Sequence, residues 1–271
     1  MDLLPGYTVR PAEELAARWL AQLNDKVRAV LLAGPPGTGK TFFAECFAKG
    51  VEADQAFIPC HAWLSSEEMQ QGIDVGQVAV GVNNADDAYL DGKLLAAVKA
   101  TAQKRVVVVL DEVEKAGSRF YPLILDFLQN GRVPDARHKI HRANLQNLFV
   151  VLTANEEQDI PEAVKRRCFR VKMEFLPANV ETDILRKATG APGGACRLVV
   201  KLANAIRQKG ESKPSLQELT YLLKARSLVK DVRQTEALIT AFLLKEERDS
   251  EAVRTAVRNP AASLYGEFCR T

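Results

Sequence analysis

The sequence predicts an α/β core with a parallel central sheet, followed by a smaller all-helical domain. Three observations carry this reading. Val106-Val107-Val108-Val109-Leu110 is a continuous β-branched run, the pattern of a parallel strand covered on both faces. Two further apolar runs, at residues 27–33 and 148–155, read as buried strands with helical patterns between them. Beyond Pro177 no strong strand signal remains, and helical patterns occupy residues 180–189, 197–208, 216–225, 235–244 and 250–257. The expected division is an α/β domain over residues 1–176 and a helical domain over 177–271.

Composition narrows the function classes. Apolar residues make up 47% and charged residues 26%, as in ordinary soluble globular proteins. A net charge of +3, from 37 basic and 34 acidic residues, does not point to nucleic acid or to a membrane surface. No apolar run approaches the roughly 20 residues that a membrane span needs. The start, Met1-Asp2-Leu3-Leu4-Pro5, lacks the basic and long apolar regions of a signal peptide. The five cysteines (Cys46, Cys60, Cys168, Cys196 and Cys269) are scattered, with no C-x-x-C pair. They imply reduced thiols in a cytoplasmic protein, not a disulfide framework or a zinc site. Cys60-His61 raises a thiol nucleophile, and a buried thiol at a strand end is the favoured reading.

In chain order, residues 5–11 read as an irregular lead-in. A helix follows over 12–23, with Leu15, Trp19 and Leu23 at helical spacing, ended by Asn24-Asp25. The strand over 27–33 carries one charge, Arg28. It runs into Gly34-Pro35-Pro36-Gly37-Thr38-Gly39-Lys40-Thr41, which fits G-x-x-x-x-G-K-[ST], the phosphate-binding P-loop. Residues 42–49 contain no Pro or Gly and read as a helix, so the context is strand, loop, helix. Gly34, Gly37 and Gly39 allow backbone angles and close approach that a Cβ blocks. The loop N–H groups and the helix N-terminus then face an anion. Lys40 is placed to reach β- and γ-phosphates, and the Thr41 hydroxyl to hold Mg²⁺. The plain alternative is a glycine-rich turn that binds nothing.

Residues 56–60 form a short second strand, and Ser65-Ser66-Glu67-Glu68 is a helix start. Residues 72–84 alternate through Ile73, Val75, Val78, Val80 and Val82, and read either as a projecting hairpin or as an irregular loop. A helix over 89–103 is expected to present Leu90, Leu94, Leu95 and Val98 on its apolar face. The strand over 106–112 then delivers Asp111 and Glu112 at its C-terminal end, where α/β sheets place ligands. Asp111 suits Mg²⁺ opposite Thr41, and Glu112 suits orienting and polarising an attacking water.

Residues 120–128 form a helix ended by Asn130-Gly131. The stretch 132–147 holds Arg132, Arg137, His138, Lys139, His141 and Arg142 without interleaved aromatics. It reads as a solvated hairpin, with phosphate-backbone contact as the alternative. The strand over 148–155 ends in Asn155, placed either to bond a γ-phosphate or water, or simply to form a turn. Residues 161–169 form a short helix with a basic end, and 171–175 a last strand. Breaks fall at 190–194 and 209–214.

These residues resemble the AAA+ ATPases, and within them the MoxR-like branch, over most of the chain. Gly34 to Thr41 resembles Walker A, and 106–112 resembles Walker B. Leu152-Thr153-Ala154-Asn155 is similar to a sensor-1 strand end. Residues 160–169 resemble the arginine-finger helix of that branch. Residues 72–84 and 132–147 fall where the branch carries its helix-2 insert and its pre-sensor-1 hairpin. The stretch 214–219 resembles the start of the lid helix that supplies sensor 2. Gln217 stands where an Arg is often found, and Arg197 is the other candidate for that role.

The resemblance implies a P-loop NTPase core with a helical lid, and ATP hydrolysis with Mg²⁺ in a homo-oligomeric ring, six subunits being expected. Lys40, Glu112 and Asn155 are then catalytic, together with Arg166 or Arg167 acting on a neighbour's nucleotide. Such a finger accelerates hydrolysis by about 10³ to 10⁵; otherwise the two arginines are ordinary basic residues at a helix C-terminus. The implied partner is a protein client or adaptor, often one with a von Willebrand A domain. Two other functions fit the same fold. One is a nucleic-acid-directed motor or loader working through residues 132–142 or 72–84. The other is a nucleotide switch without turnover, against which intact Lys40, Asp111 and Glu112 argue. No guanine-reading motif stands out, so ATP is favoured over GTP.

Overall fold

In a computed structural model the described residues are 2–22, 26–80 and 88–269, apart from the side chains of Gln77 and Val80. The chain divides into two compact units. The first is Met1–Gly34 with Gly39–Met173, and the second is Pro35–Thr38 with Glu174–Thr271.

The first unit runs α1 (Pro11–Ala21), β1 (Arg28–Ala33), α2 (Lys40–Gly50), β2 (Asp54–Pro59), α3 (Ser66–Met69), β3 (Gln71–Ile73), α4 (Val75–Val80), β4 (Tyr89–Asp91) and α5 (Lys93–Ala100). It continues with β5 (Val106–Asp111), α6 (Phe120–Asn130), β6 (Arg132–Pro134), β7 (Ile140–Arg142), β8 (Leu148–Ala154), α7 (Glu162–Lys165) and β9 (Phe169–Lys172). Five strands form one parallel sheet in the order β2-β5-β8-β1-β9. The two-residue period of a strand explains why the central runs are apolar throughout. Val106, Val108 and Leu110 enter one core with Leu31, Val150, Leu94 and Phe127. Val107 and Val109 enter the opposite core with Val30, Leu32, Phe43 and Phe47. Each such side chain contributes about 1.5–3 kcal/mol on burial.

Arg28 is the charge inside β1, and it is buried. Its guanidinium donates to the carbonyls of Gln22, Leu145 (2.7 Å) and Leu148 (3.3 Å) and lies 4.6 Å from the Phe149 ring centroid. It thus ties the start of β1 to the turn before β8.

Several expectations are corrected. In α1 the buried stripe is Glu13, Ala16, Ala17 and Leu20, and Leu15 is exposed. Glu13 accepts from the Arg10 guanidinium in a capping box at the helix start; Leu23, Asn24 and Asp25 lie outside the described residues. Within 72–84, Val75–Val80 is helical instead of extended, opened by the bond from Val78 N to Asp74 O. Residues 81–84 lie outside the described ones. The antiparallel ladder joins β3 to β4, with Gly72 opposite Leu90. The helix expected over 89–103 therefore starts only at Lys93, and Leu90 is exposed on a strand. Gly92 is the N-cap, its N–H donates to Gln70 O, and a Cβ there would meet the Met69 backbone at 2.6 Å.

The last strand is Phe169–Lys172, not 171–175. Val30 pairs with Phe169, and Met173 N donates to Ala33 O where β1 ends. The basic stretch after α6 does form a hairpin, β6 with β7. Its tip is organised by Asp135, which accepts from the N–H groups of Arg137 and Lys139 and contacts His141.

The second unit contains α8 (Ala178–Thr189), α9 (Gly193–Lys209), α10 (Leu216–Lys224), α11 (Val232–Leu243), α12 (Glu247–Ala256) and α13 (Pro260–Phe268). Leu185, Val199, Leu202, Leu219, Leu223 and Leu264 share its core. Gly190 ends α8 in the left-handed region (φ 61°), whereas Gly193 and Gly194 open α9 instead of extending the break. Helix α13 had no sequence expectation. Its start is set by Asn259, whose side chain accepts from Ala262 N, with Pro260 next. No helix among the described residues is long and apolar enough to cross a membrane.

Candidate active site

The site begins with backbone geometry at the end of β1. Gly37 and Gly39 have φ of 79° and 92°, angles that L-residues with side chains rarely adopt. A Cβ on Gly34 would collide with the carbonyl of Met173, so the loop leaves the sheet through a gap only glycine fits. Thr38 Oγ1 donates to Pro35 O at 2.9 Å and holds the turn closed. Lys40 and Thr41 form the first residues of α2, whose N-terminus adds partial positive charge to the same place.

Lys40 is buried and folds back over the loop, donating to Gly34 O at 2.8 Å and to Asn155 Oδ1 at 2.9 Å. Burial pushes its ammonium below the ordinary lysine value, against the opposing pull of Glu114, Asp111 and Glu112. Thr41 Oγ1 donates to Asp111 Oδ1 at 3.1 Å. The end of α2 and the end of β5 therefore meet. Oxygen donors of this kind, a hydroxyl beside a carboxylate, suit Mg²⁺. The glycine cradle with its ammonium suits the phosphates of a nucleotide. The residues present fit both groups.

Two adjacent strands fix the acidic pair. Thr153, fully buried in β8, donates from Oγ1 to Asp111 Oδ1 at 2.7 Å and accepts from Glu112 N at 2.9 Å. Both hydroxyls, those of Thr41 and Thr153, use Oδ1. Glu112 then leaves the strand with φ 54°, a left-handed conformation that turns its side chain away from the direction of β5. Its carboxylate accepts from Lys115 Nζ at 2.6 Å and from Asn155 Nδ2 at 2.9 Å. The Lys115 hydrogen bond holds the Glu112 carboxyl below its usual range, against partial burial and with help from Asn155. A carboxylate held ionised is an acceptor, suited to orienting a water.

Asn155 sits one residue past β8. Its amide joins Lys40 on one side to Glu112 on the other, and its backbone N–H donates to Glu114 Oε1 at 2.9 Å. Lys40, Thr41, Asp111, Glu112 and Asn155 thus lie in one hydrogen-bonded group. Thr153, Glu114 and Lys115 belong to it as well and were not singled out from sequence. Thr153 has no local signal, because its role depends on pairing across to β5.

Two further candidates in the first unit, Arg166 and Arg167, have partners outside this group. Arg167 is held by Ala163 O (2.7 Å) and Gln129 Oε1 (2.6 Å). Arg166 is exposed, with a loose 3.8 Å contact to Glu162. In the second unit Gln217 is exposed and donates to Tyr221 Oη at 2.7 Å, and Arg197 is exposed on α9. Cys60 is buried, its Sγ near Ile58 O, and burial beside Asp111 pushes the thiol up to about 12. That removes it as a nucleophile.

The chain is similar to known proteins to different extents. The chain matches the AAA domain (dynein-related subfamily) over residues 29–168. It is 22% identical to Protein NorQ of Paracoccus denitrificans (strain Pd 1222) over 261 residues, which is 94% of this chain and 92% of that protein. It is 24% identical to the Lon protease of Malacoplasma penetrans (strain HF-2), covering 91% of this chain but 30% of that protease. Among solved structures, a mutant of Thermotoga maritima RuvB has a TM-score of 0.54 at 15% identity, covering 90% of this chain and 68% of that one. At that identity the likeness concerns the fold.

Proposed function

We propose, for a chain that belongs to the AAA domain family (dynein-related subfamily) and so to the AAA+ ATPases of the MoxR-like branch, that it hydrolyses ATP in a ring and remodels a protein client. The observation that carries the proposal is the Asn155 amide, which bridges Lys40 and Glu112 while Thr41 and Thr153 hold Asp111. Binding, metal-holding and water-orienting groups are thereby joined into one network.

In this reading Lys40 and the backbone from Gly34 to Thr41, including Pro35, Pro36 and Thr38, hold the phosphates. Thr41 and Asp111 hold Mg²⁺, which neutralises phosphate charge when bound. Glu112 orients the attacking water from an ionised state. Asn155 exchanges Lys40 for the γ-phosphate and so reports which nucleotide is present. Arg166 is the finger offered to a neighbouring subunit, because Arg167 is already committed to Gln129 and Ala163. The ring is a homo-oligomer, six subunits being the expected number. The client or adaptor is a protein, one with a von Willebrand A domain being the type that the branch suggests. The compartment is the cytoplasm.

ATP turnover measured against protein concentration tests the assembly. Specific activity is expected to rise as subunits associate. Equal specific activity at every concentration would refute a finger acting between subunits.

A further inference from the structure

Asn155 lies just outside the sheet. The ladder with β5 ends at Leu110 opposite Leu152, and the ladder with β1 ends at Ala33 opposite Ala154. Gly34 N donates to Ala154 O, the last main-chain bond at this end of β8. The N–H of Asn155 is met by a side chain, the Glu114 carboxylate, through Oε1 at 2.9 Å. Glu114 itself sits on the one-turn 3-10 segment Val113–Lys115, which the buried Val113 and the bond from Lys115 N to Glu112 O hold against the core.

The second oxygen, Glu114 Oε2, is buried and has no hydrogen-bond partner among the described residues. Burying a carboxylate oxygen without a donor is unfavourable, so a role in stabilising the fold alone does not account for this residue. Glu114, like Asp111 and Glu112, favours the charged form of Lys40. Through its bond to the Asn155 N–H its carboxylate belongs to the network.

We propose that Glu114 is a positioning residue for ATP turnover, clamping the backbone of Asn155 so that its amide turns between Lys40 and Glu112 without the chain moving. This rests on the ATPase reading above. Asn155 has to release Lys40 when phosphates take up the ammonium, and still present its amide to the reaction. A side chain swinging on an anchored backbone keeps its geometry, whereas an unanchored strand end spreads it over many conformers. The essential property of Glu114 is thus a fixed acceptor for one N–H, which the glutamine amide oxygen also supplies.

Two variants and two readouts test this. Hydrogen exchange is measured in the full chain without nucleotide, and steady-state ATP turnover is measured at saturating Mg²⁺. In Glu114→Ala the Asn155 amide is expected to exchange at least about tenfold faster, the equivalent of one lost hydrogen bond to a charged group. The amides of residues 149–152 in β8 stay unchanged and report that the sheet is intact. The kcat of Glu114→Ala is expected to fall about tenfold or more, with the KM for ATP within about twofold, since the lost contact affects the reacting arrangement and not phosphate capture. Glu114→Gln is expected to restore both exchange and kcat to near wild type.

Wild-type exchange at Asn155 in Glu114→Ala would overturn the clamp. A Glu114→Ala enzyme with unchanged kcat, or a Glu114→Gln enzyme as slow as the alanine variant, would overturn its role in turnover. Absence of turnover in the wild type at every concentration would instead sink the ATPase reading, and the exchange arm would still decide the clamp.

Discussion

Asn155 Nδ2 lies 2.9 Å from Glu112 Oε1, while Asn155 Oδ1 accepts from Lys40 Nζ. One amide thus holds the Lys40 ammonium and the Glu112 carboxylate through its two ends. Its polarity is complementary to both, since the carbonyl end faces the cation and the amino end faces the anion. An anion that drew Lys40 away would loosen one side of this bridge.

Removing the charge from Glu112 tests the chemistry. Glu112→Gln is expected to bind ATP as the wild type does and to hydrolyse it about 10² to 10⁴ times more slowly. Binding is read with a fluorescent ATP analogue and turnover by phosphate release. Turnover within threefold of wild type would remove Glu112 from its role.

Thr153 supports Asp111 and Glu112 from the neighbouring strand. Thr153→Val keeps the shape but removes both hydrogen bonds, leaving Glu112 N and one lone pair of Asp111 unmet. A loss of about 1–3 kcal/mol is expected in denaturant unfolding. The Mg²⁺ concentration for half-maximal ATPase is expected to rise. A variant as stable as the wild type with unchanged Mg²⁺ dependence would contradict this support.

The two adjacent arginines are expected to separate cleanly. Arg166→Ala lowers ATPase activity by about 10³ with little change in Tm, because its side chain is exposed. Arg167→Ala is expected to lower Tm, because it removes a part-buried bond to Ala163 O and an exposed one to Gln129. Mixing Arg166→Ala subunits with Lys40→Ala subunits restores part of the activity if the finger acts on a neighbour. The reverse pattern, with Arg167→Ala inactive and fully stable, would exchange their roles.

Alkylation distinguishes the thiols. Burial pushes Cys60 and Cys168 up to about 12, so at pH 8 about one molecule in ten thousand is thiolate at either position. Cys269 is exposed. Iodoacetamide applied to the native protein is expected to label Cys269 within minutes and Cys60 only after unfolding. Rapid native labelling of Cys60 would show that its surroundings open.

Acid is expected to weaken the second unit through Asp249. Burial opposes ionisation of this carboxylate, yet the Ser212 hydroxyl and the N–H groups of Ser212, Glu246 and Glu211 hold it below the usual aspartate value. A depressed folded-state pKa adds stability that is present above the unfolded value, near 3.9, and is lost as pH falls through the folded one. Stability is expected to decline below about pH 4, and Asp249→Asn to flatten that decline. An identical acid profile in the two proteins would exclude Asp249 as a source.

The local chemistry of this chain was legible in its sequence wherever a short run determines its own structure. A β-branched run buried on both faces has few alternatives to a central strand, and glycines at 34, 37 and 39 permit a turn that other residues disfavour. Those two constraints read out the sheet, the loop, Lys40, Thr41, Asp111 and Glu112. Segments whose state depends on a distant neighbour were read less well. Residues 75–80 are helical, and the strand before them, β3, pairs with β4 about sixteen residues on. The last strand shifted because its register is set by β1. Thr153 and Glu114 acquired their positions only when chain segments about forty residues apart were brought within hydrogen-bond distance. Sequence alone thus determined which residues carry the charges and the cradle. The tertiary structure decided which of them touch, because register between strands is a property of pairs.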